Sequence, residues 1–149
     1  MKISTKGRYG LRSMIDLAVY ATERPVKLSA VAARQGISLN YLEYVFSLLK
    51  KSGLVLSVKG PNGGYSLAKA PEEITIGQVL HALEGTIDIA DELSGTASDQ
   101  RTALQQCLHE TVWDRMNQAL QALVDSRTLR DMADHYRESN QIGDGQFYI

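Results

Sequence analysis

The stretch that most constrains this chain is LVLSVKGPNGGYSL, residues 54–67. Leu54, Leu56 and Val58 alternate before KGPNGG, and Tyr65 and Leu67 alternate after it, which predicts two strands joined as a hairpin. Six connecting residues exceed a minimal hairpin turn, and glycine and asparagine there supply the backbone freedom of a projecting tip. The sequence around it is helical in period. A mainly α chain with one hairpin, tipped with glycines and headed by Lys59, has few folds open to it.

What precedes the hairpin narrows the choice. Ser4 and Thr5 can each cap a helix in which Leu11, Met14, Ile15 and Ala18 recur at helical spacing, with Pro25 expected to end it. In KLSAVAARQGIS, Ser29 reads as an N-cap, Val31 and Ala32 as inward-facing, and Gly36 as the residue of positive φ that closes a helix. Ser38 then caps a second helix with an apolar face of Leu42, Val45, Phe46 and Leu49, closed by Gly53. Two short helices joined by GIS form a helix-turn-helix, and the hairpin follows at once. The expected fold is mainly α: a winged helix-turn-helix with a short two-stranded wing and a long C-terminal dimerisation helix. In that geometry the helix over residues 38–52 suits the major groove of DNA, and the wing over 59–65 projects beside it.

Charge supports a polyanion partner for this part of the chain. Residues 1–69 hold 11 Lys/Arg against 3 Asp/Glu, a net of +8, whereas residues 70–149 hold 5 against 14, a net of −9. The break falls at KAPEE, so the expected organisation is a DNA-binding domain over 1–70, a helical dimerisation region over 71–137 and a tail over 138–149. The candidate DNA-binding residues follow from position and chemistry. Ser38, Asn40 and Tyr41 offer hydrogen-bonding groups at the start of the reading helix. Glu43 repels phosphate unless it accepts from cytosine N4, so it would act as a sequence filter. Lys50, with Lys51, lies nearer the DNA backbone, and Lys2, Lys6, Arg8 and Arg12 form a second basic cluster. Lys59 and Gly60 open the wing, and Gly63 and Gly64 would let its backbone approach a sugar–phosphate rail. Each has a plainer reading as well: Ser38 as a cap alone, Tyr41 as a core aromatic, Glu43 as a solvated helix residue.

The stretches MKISTKGRYGLRSMIDLA, RQGISLNYLEYVFSLLKKSGLVLSVKGPNGGYSLAK and ITIGQVLHALEG closely resemble the bacterial Rrf-type regulator family. That family includes iron–sulfur cluster regulators, nitric-oxide-responsive repressors and cluster-free cysteine-metabolism repressors. The resemblance implies a dimeric transcriptional regulator of palindromic operators. It places Ser38, Asn40, Tyr41 and Glu43 at base edges, with Lys59 and Gly60 in the minor groove. Many relatives carry Arg where this chain has Lys59, which implies a weaker minor-groove insertion here.

In the acidic half, Thr75 and Gln78 match a capping box, with Ile74 and Val79 as a hydrophobic staple, and Gly85 ends that helix. Residues 86–99 read as a loop. From about Gln100 to Val124 the chain reads as one helix, with Leu104, Leu108, Val112, Met116, Leu120 and Val124 at successive i+4 steps and Trp113, Ala119 and Leu123 widening the stripe. So long an apolar face predicts pairing with a second copy across a two-fold axis.

In the iron–sulfur sensors of the family, the resemblance implies three cysteines in this loop and helix start. Here the chain has Cys107 alone, with His109 and Glu110 beside it, and no Cys-x-x-Cys pair. The expectation is no cofactor, with Cys107 a small buried residue on the helix or, as a second possibility, a redox-active thiol. A single cysteine also fits a reducing cytosol. No run nears the roughly 18 apolar residues of a membrane span, and MKISTKGRYG lacks a signal-peptide core, so the expected location is cytoplasmic. Nothing in the sequence indicates an enzyme: there is no phosphate-binding Gly loop entering a helix and no nucleophile elbow.

The chain ends in GDGQFYI, expected to be a mobile tail with an apolar terminus that docks somewhere, on the chain's own dimer or on a partner. By resemblance to the cysteine-metabolism repressors, Phe147, Tyr148 and Ile149 would bind cysteine synthase, with O-acetylserine competing for the same pocket. The expected function is therefore a homodimeric DNA-binding repressor of cysteine and sulfur-metabolism genes. The alternative is an iron–sulfur or redox-responsive regulator of the same family with an atypical or lost cluster site.

Overall fold

A computed structural model describes residues 2–90, 97 and 100–147, the stretch 141–147 by its backbone alone. The elements run α1 (Thr5–Tyr20), α2 (Leu28–Gln35), α3 (Leu39–Lys51), β1 (Val55–Val58), β2 (Gly64–Leu67), a 3-10 turn (Pro71–Glu73), α4 (Ile76–Glu84), α5 (Ala103–Leu108), a π-helical turn (His109–Trp113), α6 (Asp114–Ser126) and α7 (Leu129–Phe147). The winged helix-turn-helix is present. β1 and β2 pair antiparallel, Val55 opposite Leu67 and Val58 opposite Gly64.

The caps largely follow local chemistry. The Ser4 hydroxyl accepts from the Gly7 N–H and starts α1; the Ser38 hydroxyl accepts from the Tyr41 N–H and starts α3. Gly36 takes φ +65° at the end of α2, which sets the tight turn into α3. α4 opens with the complete capping box of Thr75 and Gln78.

Three local expectations are overturned, each by a longer-range demand. α1 stops at Tyr20, short of Pro25, because the chain must turn so that Val26 can join the wing. The Val26 N–H donates to the Tyr65 carbonyl at 2.9 Å and the Tyr65 N–H donates back at 2.8 Å. α2 begins at Leu28 with Lys27 in the cap position, which leaves Ser29 inside the helix. Burial of Leu28 in the core accounts for the early start. The strand alternation is also out of phase: Leu54 and Val55 are both buried, while Leu56 and Val58 are about half exposed. Leu54 still belongs to the end of α3, its N–H donating to the Leu49 carbonyl at 3.0 Å, and the pleat begins only after it.

The buried apolar side chains of the described residues form one cluster that crosses the junction near residue 70. Met14, Leu17, Leu42, Phe46 and Val55 share it with Ile74, Val79, Leu83, Leu129 and Ala133. Closure comes from a short bridge in which the Ile76 N–H donates to the Arg127 carbonyl and the Leu129 N–H to the Ile74 carbonyl, both at 2.9 Å. α7 therefore starts inside the core of the basic half. It also runs to Phe147, through the stretch expected to be a mobile tail.

The helix over 103–126 is continuous but not regular. An i+4 repeat advances about 40° per step on a 3.6-residue helix, so five steps from Leu104 to Val124 would drift about 200°. The π-helical turn at His109–Trp113 holds one extra residue and returns about 100° of that drift. The stripe still spirals. Val124 is buried against α4, whereas Leu104, Met116 and Leu123 are 69%, 42% and 51% exposed.

Candidate nucleic-acid interface

One side of α3 is sealed into the core: Leu42, Val45, Phe46 and Leu49 have no exposed surface. The other side presents Asn40, Glu43, Tyr44, Ser47 and Lys50 to solvent, with Ser38 and Leu39 exposed at its start. The periodicity that buries one face therefore fixes which residues a duplex could meet. Ser38 does cap the helix, and its hydroxyl accepts the Tyr41 N–H at 3.2 Å, which leaves its proton to donate outward. Tyr41 is half-buried, packed edge-on to Tyr9 of α1 with ring centroids 6.0 Å apart. Tyr44 and Ser47 were not singled out from sequence; the i+4 and i+7 spacing from Asn40 would have found them.

Lys50 is held at the foot of the wing, where its Nζ donates to the Ser57 hydroxyl at 2.8 Å. That bond ties the end of α3 to β1. Lys51 is exposed one residue on. The wing tip exposes Lys59, Gly60, Pro61 and Asn62, and is closed by the Gly63 N–H donating to the Gly60 carbonyl at 3.0 Å. Gly63 itself is buried, and a side chain there would overlap the Val58 carbonyl; at Gly64 (φ +152°) it would overlap the Val26 carbonyl. Both glycines are thus demanded by the inside of the wing.

Ahead of α1 and on it, Lys2, Arg8 and Arg12 are exposed and Lys6 is half-buried. Arg8 Nη2 donates to Thr5 Oγ1 at 3.1 Å, and the Arg12 guanidinium lies 4.9 Å from the Tyr9 ring centre. Gly7 and Gly10 of KGRYG have a packing role, since a methyl group at Gly7 would overlap the Glu84 carboxylate and one at Gly10 would overlap Leu83.

An ion pair not anticipated from sequence locks α1 to the helix-turn-helix. Asp16, almost fully buried, accepts from Arg34 Nε at 2.9 Å, Arg34 Nη2 at 2.7 Å and Gln35 Nε2 at 2.8 Å. The hydrogen bonds to Asp16 hold the Arg34 pKa above its ordinary value. The same guanidinium lies 3.9 Å over the Tyr20 ring. On Tyr20, a hydrogen bond with Tyr136 of α7 raises the phenol pKa.

Cys107 is exposed on α5, which corrects its expected burial: none of the residues of α5 is buried. Tyr148 and Ile149 lie outside the described residues, as does the Phe147 side chain. Among the described residues no helix is long and apolar enough to cross a membrane.

Fold and surface together define a winged helix-turn-helix with an exposed polar reading helix and a cationic wing tip. Comparison with known proteins makes the class specific. The chain belongs to the Rrf2 family, whose model, described as an iron-dependent transcriptional regulator, matches residues 3–135. It is 41% identical over 147 residues to the HTH-type transcriptional regulator IscR of Aliivibrio salmonicida, covering 98% of this chain and 84% of that protein. Among solved structures it is similar to CymR, the global cysteine regulator of B. subtilis, at a TM-score of 0.76 and 38% identity, covering 91% of this chain and 98% of that one. It is also similar to T. potens IscR, at 0.74 and 37%, covering 93% and 90%. The chain is thus a DNA-binding transcriptional regulator of that family.

The family description raises the matter of iron. Iron–sulfur clusters are held mainly by several Cys thiolates. This chain has one cysteine, and among the described residues no three His, Cys, Asp or Glu side chains converge on a point that could hold a metal ion. A single thiolate does not fit such a cluster.

Proposed function

We propose that the protein is a homodimeric repressor that reads a roughly palindromic operator, with α3 in the major groove and the wing tip in the minor groove. Ser38, Asn40 and Glu43 meet base edges, Tyr41 and Tyr44 flank them, and Lys59 and Gly60 enter the minor groove. Lys6, Arg8 and Lys50 meet phosphates. The observation that supports this most is the exposed row Asn40, Glu43, Tyr44, Ser47 and Lys50, on a helix whose opposite face is wholly buried. Gly63 and Gly64 shape the wing and let its backbone approach the sugar–phosphate rail. The exposed apolar residues Leu104, Met116 and Leu123 are the dimer face.

For the signal, the single-cysteine donor set and the likeness to a global cysteine regulator favour control of cysteine and sulfur-metabolism genes without a cluster. On this reading Phe147, Tyr148 and Ile149 bind cysteine synthase, and O-acetylserine competes with them. A second reading, an iron- or redox-responsive regulator using Cys107, is favoured by the family description and by the IscR relatives.

Purification without oxygen separates the two. The expected result is a colourless, iron-free dimer that binds DNA and whose operator affinity changes when cysteine synthase is added. Stoichiometric iron with visible charge-transfer bands would overturn the cysteine reading in favour of the iron one.

A further inference from the structure

We infer that Tyr9, on α1, is a positioning residue for base recognition: it holds Tyr41 and so sets the presented face of the reading helix. The inference rests on the proposed DNA-reading role of α3 and adds a residue outside it. Three observations carry it. First, Tyr41 sits in the first turn of α3, immediately between Asn40 and the Leu42–Glu43 pair, and its ring meets Tyr9 nearly perpendicular, at 84° and 6.0 Å between centroids. Edge-to-face pairing of this kind is directional, so it fixes ring orientation as well as contact. Second, the contact continues outward: the Tyr44 ring centroid lies 6.4 Å from that of Tyr41, and Tyr44 is 52% exposed on the reading face.

Third, Tyr9 is itself held from several sides. The buried Ser13 hydroxyl donates to the Tyr9 carbonyl at 2.7 Å. The Arg12 guanidinium lies 4.9 Å from its ring centre, close enough for attraction to the ring face. The next residue, Gly10, is where α1 and α3 draw together, since a methyl group there would stand 3.1 Å from Val45 Cγ1. Tyr9 therefore couples a rigid part of α1 to the only aromatic of α3 that is neither fully buried nor freely exposed among the described residues. Without it Tyr41 could turn, and Asn40, Glu43 and Tyr44 would lose a fixed presentation.

The test compares full-length wild type, Tyr9→Leu and Tyr9→Phe. Each is titrated against a duplex selected by the wild type from a random library and against poly(dI-dC), with the active fraction counted at saturation. The readout is the ratio of the two affinities. Partial unfolding lowers the active fraction and leaves the ratio where it was, so a merely structural role does not move it. With an aromatic pair contributing about 0.5–1.5 kcal/mol, Tyr9→Leu is expected to lower the ratio roughly twofold to tenfold. Tyr9→Phe keeps the ring and is expected to restore it. A wild-type ratio retained in Tyr9→Leu would overturn the positioning role. So would an equal loss in Tyr9→Phe, which would make the hydroxyl a direct contact. A wild type that selects no duplex would instead sink the DNA-reading proposal itself.

Discussion

Glu43 stands exposed on the reading face, beside the half-buried Tyr41 and the exposed Tyr44. In the proposed interface a carboxylate there would repel phosphate on every duplex and accept a hydrogen bond on few, so its effect would be to discriminate. Glu43→Ala is expected to leave affinity for the preferred operator within about threefold while narrowing the gap to base-substituted sites by roughly tenfold, since one base contact is worth about 1–3 kcal/mol. Equal losses on all sequences, measured by fluorescence anisotropy, would remove Glu43 from the base contacts. Lys59 behaves differently. A single phosphate contact contributes about one unit to the slope of log affinity against log salt, so Lys59→Ala should flatten that slope by up to about one unit. An unchanged slope would take Lys59 out of the interface. At this scale the sequence was informative wherever a residue acts locally: Ser38 and the capping box of Thr75 and Gln78 are set by neighbours three positions away. It says less where a residue answers to a distant partner. Gly63 and Gly64 look like tip glycines, yet their lack of side chains serves the backbone of Val58 and Val26. Cys107 reads as buried from its small apolar character, yet α5 buries none of its residues.

α1 is the element through which the others are registered. Gly7 and Gly10 bring it against Glu84 and Leu83 of α4, and the Ser4 N–H donates to Glu84 Oε1 at 3.0 Å. Asp16 on the same helix holds Arg34 and Gln35 at the end of α2. The lock is most exposed to loss of one partner, because Asp16 has no solvent to fall back on. Arg34→Ala leaves that carboxylate with Gln35 alone and is expected to destabilise the protein by about 3 kcal/mol, within the range for breaking a buried pair from one side. Urea denaturation would measure it; a shift below about 1 kcal/mol would show that water replaces the guanidinium freely. The order of elements and the face each helix buries were legible, since a period of 3.6 residues is written in the apolar positions. The Asp16–Arg34 lock was not, because the two lie 18 positions apart on different helices and no local pattern marks them as partners. The C-terminal end of α1 was misjudged for the same reason, because Val26 must reach Tyr65 to extend the wing, and the start of α2 because Leu28 is drawn into the core.

The whole molecule is organised as a basic reading unit whose core also holds the start of α7, with α6 laid across α4 by way of Gly77 and Asp125. The charge break near residue 70 separates surfaces and does not separate cores. This arrangement covers the C-terminal end of the apolar stripe and leaves Leu104, Met116 and Leu123 exposed. In the proposed dimer, covering the half or so of each side chain still exposed would be worth about 1–2 kcal/mol each, and a two-fold axis bringing the copies together would also set the spacing of two α3 helices. Operator affinity would then depend on engaging both half-sites at once, because the second contact would be made at the high effective concentration of a tethered partner. The double variant Met116→Glu with Leu123→Glu puts two carboxylates per protomer into that face without touching any proposed DNA contact. Light scattering should give a monomer mass near the 16.4 kDa of one chain. The circular dichroism spectrum should keep its helical form, and affinity for a two-half-site operator should fall by about a hundredfold or more while affinity for a single half-site stays within a few fold. A variant that remains dimeric with full operator affinity would place the two-fold contact elsewhere on the molecule, and the exposed stripe on α5 and α6 would then need another partner.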